Sequence, residues 1–214
     1  MIDCGLDWLR ELDRVAPTSI VITHAHPDHA WGLMQGAPCT VYATESCWSG
    51  LADFPIQDKR VLQSGAAFGL DGLVFETFPV DHSIRAPAVG YRVSERRTSF
   101  FYVPDVVAIA ERSAALKGAD LYIGDGATLT RSLVRRREGA LFGHTPVRTQ
   151  LGWCQKKGVK RAIFTHCGAE IIAGDERKLG ALLRRMGRER GVEARLAYDG
   201  LEVDVHIACL EKTE

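Results

Sequence analysis

The sequence has no excess of charge of either sign, because 27 basic and 27 acidic residues give 214 residues a formal net charge of zero. A protein that coats nucleic acid non-specifically carries a basic excess, so this balance argues against that class. There is no apolar run of about 18 residues, as a membrane-spanning helix requires. The first residues also lack the basic-then-apolar pattern of a secretory leader. We therefore expect a cytoplasmic protein with no membrane partner.

The cysteines form no CxxC pair, which argues against a zinc ribbon or a redox motif. In a chain with no export signal, we expect free thiols, mostly buried. The six positions are Cys4, Cys39, Cys47, Cys154, Cys167 and Cys209.

The length and composition are those of an ordinary globular protein, with 46% hydrophobic and 25% charged residues. No linker, repeat or low-complexity tract interrupts the chain, so we expect a single domain over residues 1–214. Short β-rich segments alternate with helical ones, a pattern of the α/β or α+β class. Strands are predicted at 2–4, 19–23, 40–43, 73–80, 88–94, 99–103, 120–123, 161–165, 195–198 and 201–205. Helical segments are predicted at 6–15, 45–52, 109–117, 147–157 and 175–190.

The densest chemical signal is the run Thr-His-Ala-His-Pro-Asp-His at positions 23–29, directly after a buried strand. His24 and His26 alternate on an extended segment, so both imidazoles can point the same way. Asp28 and His29 follow where the chain turns into a helix. Imidazole and carboxylate groups at this density suit zinc, manganese or iron.

This run resembles the T-H-x-H-x-D-H signature of the metallo-β-lactamase superfamily. The resemblance implies an α+β fold, a four-layer αββα sandwich with metals at one edge of its two sheets. The superfamily needs three further ligands in the order His, Asp, His. His82, Asp105 and His166 supply them, each at the end of a predicted strand.

The resemblance also implies a role for each ligand, with two divalent ions of zinc, manganese or iron as cofactors. One ion would be held by His24, His26 and His82, the other by Asp28, His29 and His166, and Asp105 would bridge them. Asp3 matches an aspartate that supports the metal-binding loop from behind. Family members usually begin with further strands before the segment that Met1–Gly5 matches, so we expect the first N-terminal strands to be missing.

Residues 82–91, H-S-I-R-A-P-A-V-G-Y, are similar to a segment of ribonuclease Z and of the cyclic phosphodiesterase of the carbon–phosphorus lyase pathway. Both families place a further histidine before a late helix, and His144 matches it. The resemblance implies that His144 contacts the substrate phosphate and acts as general acid. Asp28 is a second catalytic candidate, which would orient the attacking water. Only a hairpin separates His82 from Asp105, too little for the tRNA-binding arm of ribonuclease Z.

These features favour a metal-dependent hydrolase, a phosphodiesterase acting on a small cyclic or nucleotide-type phosphodiester. Three alternatives stay open: an RNA or DNA nuclease, a hydrolase of a lactone, thioester or β-lactam, and an inactive metal-binding relative. A homodimer is expected by analogy only. The sequence does not decide the role of two further features. Residues 125–128 are a candidate cleft rim, and the arginines before His144 would meet a phosphate-rich substrate or form a solvated turn. Those arginines are Arg131, Arg135, Arg136 and Arg137.

Overall fold

The computed structural model describes residues 1–205. His206 and Cys209 lie outside the described residues, and the single domain over 1–214 and the homodimer stay predictions. Two sheets form the centre of the structure. The smaller is parallel and runs in the order β1-β2-β3, with Ile2 adding a parallel bridge to Val21. Its strands are β1 (Ser19–Val21), β2 (Thr40–Thr44) and β3 (Lys59–Leu62).

The larger sheet has eight strands in the order β13-β12-β9-β7-β6-β5-β4, with β8 paired to β5. A separate two-stranded hairpin, β10–β11, stands apart from both sheets. The remaining strands are β4 (Ala67–Leu70), β5 (Leu73–Asp81), β6 (Ala88–Glu95), β7 (Thr98–Tyr102), β8 (Ala108–Ile109), β9 (Leu121–Asp125), β10 (Arg135–Arg137), β11 (Ala140–Phe142), β12 (Arg161–Thr165) and β13 (Glu193–Leu196).

The helices are short except for the two that cover the larger sheet, α5 and α7. Among residues 1–205, no helix is both long and apolar enough to cross a bilayer. Short 3-10 turns lie at Leu6–Trp8 and Trp31–Leu33. The α-helices are α1 (Leu12–Val15), α2 (Pro27–Ala30), α3 (Glu45–Gly50), α4 (Arg112–Ala115), α5 (Val147–Lys157), α6 (Ala169–Ile172) and α7 (Glu176–Arg188).

The hydrophobic core separates into three clusters that define the layers. Between the two sheets, Val21 of β1 belongs to the same cluster as Phe75 and Tyr91 of the larger sheet. Outside the larger sheet, α5 and α7 contribute Leu151 and Leu183 to a second cluster. A third cluster covers the other face of the smaller sheet with residues from α1 and α3. This order of helix, sheet, sheet and helix confirms the predicted four-layer sandwich.

Tyr91 joins the inter-sheet core to the loop that carries the histidine run. Its side chain is fully buried, and its hydroxyl donates a hydrogen bond of 2.6 Å to the carbonyl of Ile22. Tyr91→Phe keeps the ring but leaves that carbonyl without its donor, so we expect a loss of about 1–3 kcal/mol of unfolding free energy. Urea denaturation measures it. Tyr42→Phe is the control, because the Tyr42 ring is half-buried and stacks on Phe68; equal losses would contradict this account.

The predicted helix at 109–117 is wrong over most of its length. Only Arg112–Ala115 is helical, because Ile109 instead pairs with Val80 as part of a strand. The predicted strand at 201–205 is also wrong. The alternation of Leu201, Glu202 and Val203 suits a strand, but the segment pairs with no strand among residues 1–205. The 6–15 segment is divided into a 3-10 turn and a four-residue helix.

Five strands were not predicted, and three of them, β3, β10 and β11, lack the alternation of buried and exposed residues that marks a strand. Three residues of β3 in succession are exposed, and all three residues of β10 are arginines. Their pairing with β2 and β11 forms the strands regardless of composition. The unpredicted strands are β3, β4, β8, β10 and β11.

Candidate metal centre

The predicted site residues follow different strands and meet at one edge of the sheets. His24 and His26 follow β1, and Pro27 then begins α2 at the position where a missing backbone N–H costs nothing. Asp105 follows β7 and His166 follows β12, two strands of the larger sheet that flank β9. His82 comes directly after β5.

His24, His26 and His82 form a first cluster of converging imidazoles. His26 Nδ1 lies 3.0 Å from His24 Nε2 and 3.2 Å from His82 Nε2. Burial lowers the pKa of His24 to about 2 and also lowers the pKa of His26 and of His82. The three rings are therefore neutral at pH 7, the state in which imidazole can bind a metal.

Hydrogen bonds on the far side of two of these rings leave the inward nitrogens with lone pairs. His82 Nδ1 donates to the Gly143 carbonyl at 3.2 Å, so its Nε2 is unprotonated in the neutral ring. The Thr23 hydroxyl donates to Asp3 at 3.0 Å, and so accepts from His24 Nδ1, also at 3.0 Å. The Nε2 atoms of His24 and His82 are therefore unprotonated and face the centre of the cluster, as metal binding requires.

Asp28, His29 and His166 form a second cluster, which contains one ionised carboxylate. Asp28 Oδ2 lies 2.8 Å from His166 Nε2 and 3.6 Å from His29 Nε2. The hydrogen bond with His166 holds the pKa of Asp28 below its usual range. Burial by itself would lower the pKa of His29, but the carboxylates of Asp105 and Asp3 outweigh burial and raise it to about 10.

Asp105 lies between the two clusters and is only 2% exposed. Its Oδ2 is 3.5 Å from His24 Nε2 and 2.7 Å from His29 Nε2, while its Oδ1 is 3.1 Å from His166 Nδ1. Burial would raise the pKa of Asp105, but His144 and His29 reverse this effect and hold it well below the usual value. One ionised carboxylate therefore contacts both clusters.

Some buried polar atoms of these side chains lack a hydrogen bond that a metal ion could replace. Three buried atoms at the centre make no well-aligned hydrogen bond among residues 1–205, although they lie within 3.1 Å of Asp105 or His166: His29 Nε2, Asp105 Oδ1 and His166 Nδ1. Buried polar atoms without partners are rare and costly. A divalent cation would satisfy such atoms, and a set of imidazoles and carboxylates suits zinc, manganese or iron. The residues present thus fit the metal site that the sequence predicts.

Asp3 holds the metal-binding loop from behind. Its carboxylate accepts the Thr23 backbone N–H at 2.7 Å and lies 2.9 Å from His29 Nδ1, which it orients so that Nε2 faces the centre. Partners of this kind typically contribute about 10–100-fold to metal affinity. We expect Asp3→Asn to weaken zinc binding by about that factor, because asparagine lacks the negative charge that the carboxylate presents to His29. The backbone should not change, because asparagine tolerates the positive φ of 59° at this position.

A zinc-chelator competition assay measures the Asp3→Asn effect. Asp7→Asn is the control, because Asp7 is an exposed acid on the neighbouring 3-10 turn. Unchanged affinity in Asp3→Asn, or an equal loss in Asp7→Asn, would remove Asp3 from the site.

His144, which precedes α5, is paired with an aspartate to which the sequence analysis gave a different role. His144 Nδ1 lies 2.9 Å from Asp125 Oδ2 and 3.3 Å from Asp105 Oδ1. Residues 125–128 were a candidate cleft rim, but Asp125 is fully buried beneath His144. Its carboxylate also accepts the backbone N–H groups of Val106 and Ala127. The available signal was its position at the end of buried strand β9, beside the strands that end at Asp105 and His166.

Gln150 on α5 is a second residue that the sequence analysis missed. Its side chain is fully buried and donates to the carbonyls of Asp125 and Thr145 at 2.7 and 2.8 Å. Its oxygen accepts from the Tyr122 hydroxyl and from the Asp125 backbone N–H. Gln150 therefore fixes the segments that carry Asp125 and His144 relative to each other. A glutamine on a helix gives no sequence signal of this role.

A family model described as "Beta-lactamase superfamily domain" matches residues 1–167. A Ribonuclease Z from Mycobacterium avium is 23% identical and aligns over 86% of this chain and 81% of its own length. Among solved structures, a diphosphatase from the PhnP family has a TM-score of 0.65 at 18% identity, covering 97% of this chain and 81% of that one. The short form of human tRNase Z has a TM-score of 0.60 at 19% identity, covering 96% and 88%.

The two structural similarities support the fold, and the family match covers more than half of the chain. The chain therefore belongs to the beta-lactamase superfamily, as a metal-dependent hydrolase with the metallo-β-lactamase fold.

Proposed function

We propose that the chain is a dinuclear-metal-dependent phosphodiesterase that acts on a small cyclic or nucleotide-type phosphodiester. The observation that supports this most strongly is the contact of the Asp105 carboxylate with both histidine clusters. One zinc, manganese or iron ion would be held by His24, His26 and His82, and a second by Asp28, His29 and His166, with Asp105 shared. When bound, the two cations supply Lewis acidity and lower the pKa of the water they hold.

The chain's own residues supply the proton transfers. The side chain of Asp28 is 57% exposed at the mouth of the site, and the hydrogen bond from His166 keeps it ionised. An ionised carboxylate accepts hydrogen bonds, so Asp28 would orient the attacking water. Burial would lower the pKa of His144, but Asp105 and Asp125 raise it to about 10. Because Asp125 holds Nδ1, the Nε2–H of His144 is left to protonate the leaving oxygen.

A nuclease is the second candidate, and the similarity to Ribonuclease Z over 86% of the chain favours it. The zero net charge and the short 82–105 connection favour the smaller substrate. Hydrolysis of lactones or thioesters and an inactive metal-binding protein are outcomes that the experiment distinguishes.

The test is a substrate panel with purified protein loaded with Mn²⁺ or Zn²⁺. The panel contains bis(p-nitrophenyl) phosphate, p-nitrophenyl phosphate, a lactone, a thioester and a short RNA. We expect turnover of the diester that disappears in His26→Ala. Preferential turnover of the lactone or thioester would contradict the proposal, as would turnover of RNA alone or no turnover by a metal-loaded chain.

A further inference from the structure

Backbone hydrogen bonds join the base of the β10–β11 hairpin to two histidines of the candidate site. The Leu133 backbone N–H donates to the His144 carbonyl at 3.1 Å, and the Gly143 N–H donates to the His82 carbonyl at 2.8 Å. Gly143 has a φ of 105°, and a Cβ there would lie 2.3 Å from the Leu133 carbonyl oxygen. Only glycine fits at position 143, where the chain leaves the hairpin and reaches His144. The two backbone hydrogen bonds hold the hairpin beside the site.

This hairpin carries more arginines than acids, and two of the arginines share one face. Cross-strand pairing sets Arg135 opposite Phe142 and Arg137 opposite Ala140, so these four residues share a face. Arg136 points to the other face. All three arginines are exposed, and the only acid between 131 and 144 is Glu138, which pairs with Arg137 at 3.3 Å. One carboxylate beside three arginines leaves the hairpin with a net positive charge.

This face borders a cavity of about 400 Å³ that also touches the loop after His82. Arg85 from that loop and Arg137 from the hairpin both line the cavity, Glu138 lines it beside Arg137, and Phe142 adds an aromatic surface. Among residues 1–205, Arg85 makes no ion pair within 4.0 Å. Ser83 and Phe142 each lie within two residues of a predicted site histidine, so the cavity adjoins the metal centre. A cavity of this size can accept part of a nucleotide.

We propose that this cavity binds a second phosphate group of the substrate, on the part that flanks the scissile phosphodiester. The inference rests on the proposed function and narrows its substrate class to nucleotide-type diesters with at least one additional phosphate. Guanidinium groups bind phosphate through paired, charge-assisted hydrogen bonds, and two arginines from separate segments would meet one phosphate there. Phe142 would contact the sugar or base.

The test is isothermal titration of the full metal-loaded chain with thymidine 3′,5′-bisphosphate and with thymidine 5′-monophosphate. The two ligands differ by one phosphate, and we expect the bisphosphate to bind at least about tenfold more tightly. Arg85→Ala and Arg137→Ala should each bring the affinity ratio close to one. Arg136→Ala removes the same charge from the opposite face and should leave the ratio unchanged.

Equal affinities of the unchanged chain for both ligands would overturn the proposal. So would an equal loss in Arg136→Ala and Arg137→Ala, which would mean a general charge effect. Arg85, Arg136 and Arg137 are all exposed, so each variant should have the same unfolding temperature as the unchanged chain. Thermal unfolding followed by circular dichroism can check this. Hydrolysis of bis(p-nitrophenyl) phosphate is measured in parallel. Selective binding without hydrolysis would refute the proposed function alone, and hydrolysis without selective binding would refute only the second-phosphate site.

Discussion

Asp105→Ala is expected to lose metal and to reduce phosphodiesterase activity by about 10³-fold or more, as when one member of a catalytic unit is removed. The reason is that one carboxylate contacts both clusters, through His24 and His29 on one oxygen and His166 on the other. Its removal deprives both proposed ions of a ligand and leaves buried imidazoles without their counter-charge. Mass spectrometry of bound metal and kcat for bis(p-nitrophenyl) phosphate measure the two effects.

Asp81→Ala is the matched control for Asp105→Ala. Asp81 is an exposed carboxylate next to His82, and its removal changes the net charge equally without touching the clusters. We expect it to keep the metal and the activity. An Asp105→Ala protein with two bound ions and more than about a tenth of the native rate would refute the bridging role.

His144→Gln is expected to lower kcat by about 10²–10⁴-fold, the range for a lost general acid. Metal content should not change, because Asp125 rather than a cation would hold His144 Nδ1. The loss should be larger for a dinucleotide, whose leaving alkoxide needs a proton, than for bis(p-nitrophenyl) phosphate, whose leaving group departs without one.

Metal analysis of the same variant distinguishes the two roles that the geometry allows for His144. Its Nδ1 is 3.3 Å from Asp105 Oδ1, and His144, Asp125, Asp105 and His166 could themselves surround an ion. Loss of one ion in His144→Gln would make His144 a ligand. Equal rate losses on both substrates would exclude the general-acid role.

Most of the candidate site could be predicted because its residues carry a local signal. The histidine run lies within seven positions, and His82, Asp105 and His166 each follow a strand that the apolar pattern predicts. Asp125 and Gln150 could not be assigned in this way. Asp125 ends a buried strand, but its pairing with His144 and the contacts of Gln150 come from burial and from the fold, which the neighbours in sequence do not reveal.

The same distinction holds for the fold. Helix α5 and strand β12 have the predicted bounds, because the apolar residues of α5 and the continuous apolar run of β12 are the residues that the fold buries. Strand β10 consists of three exposed arginines and exists through its pairing with β11. The 201–205 segment has the alternation of a strand but belongs to no sheet among residues 1–205. Strand formation depends on pairing, which the period of apolar residues does not report, so periodicity misses the first and overpredicts the second.

The central claim is that one carboxylate joins two metal sites, and anomalous diffraction from crystals of the Zn²⁺- or Mn²⁺-loaded protein tests it most directly. We expect two peaks about 3.5–4 Å apart. One should lie among His24, His26 and His82, the other among Asp28, His29 and His166, with Asp105 in contact with both. A single peak, or peaks away from these residues, would contradict it.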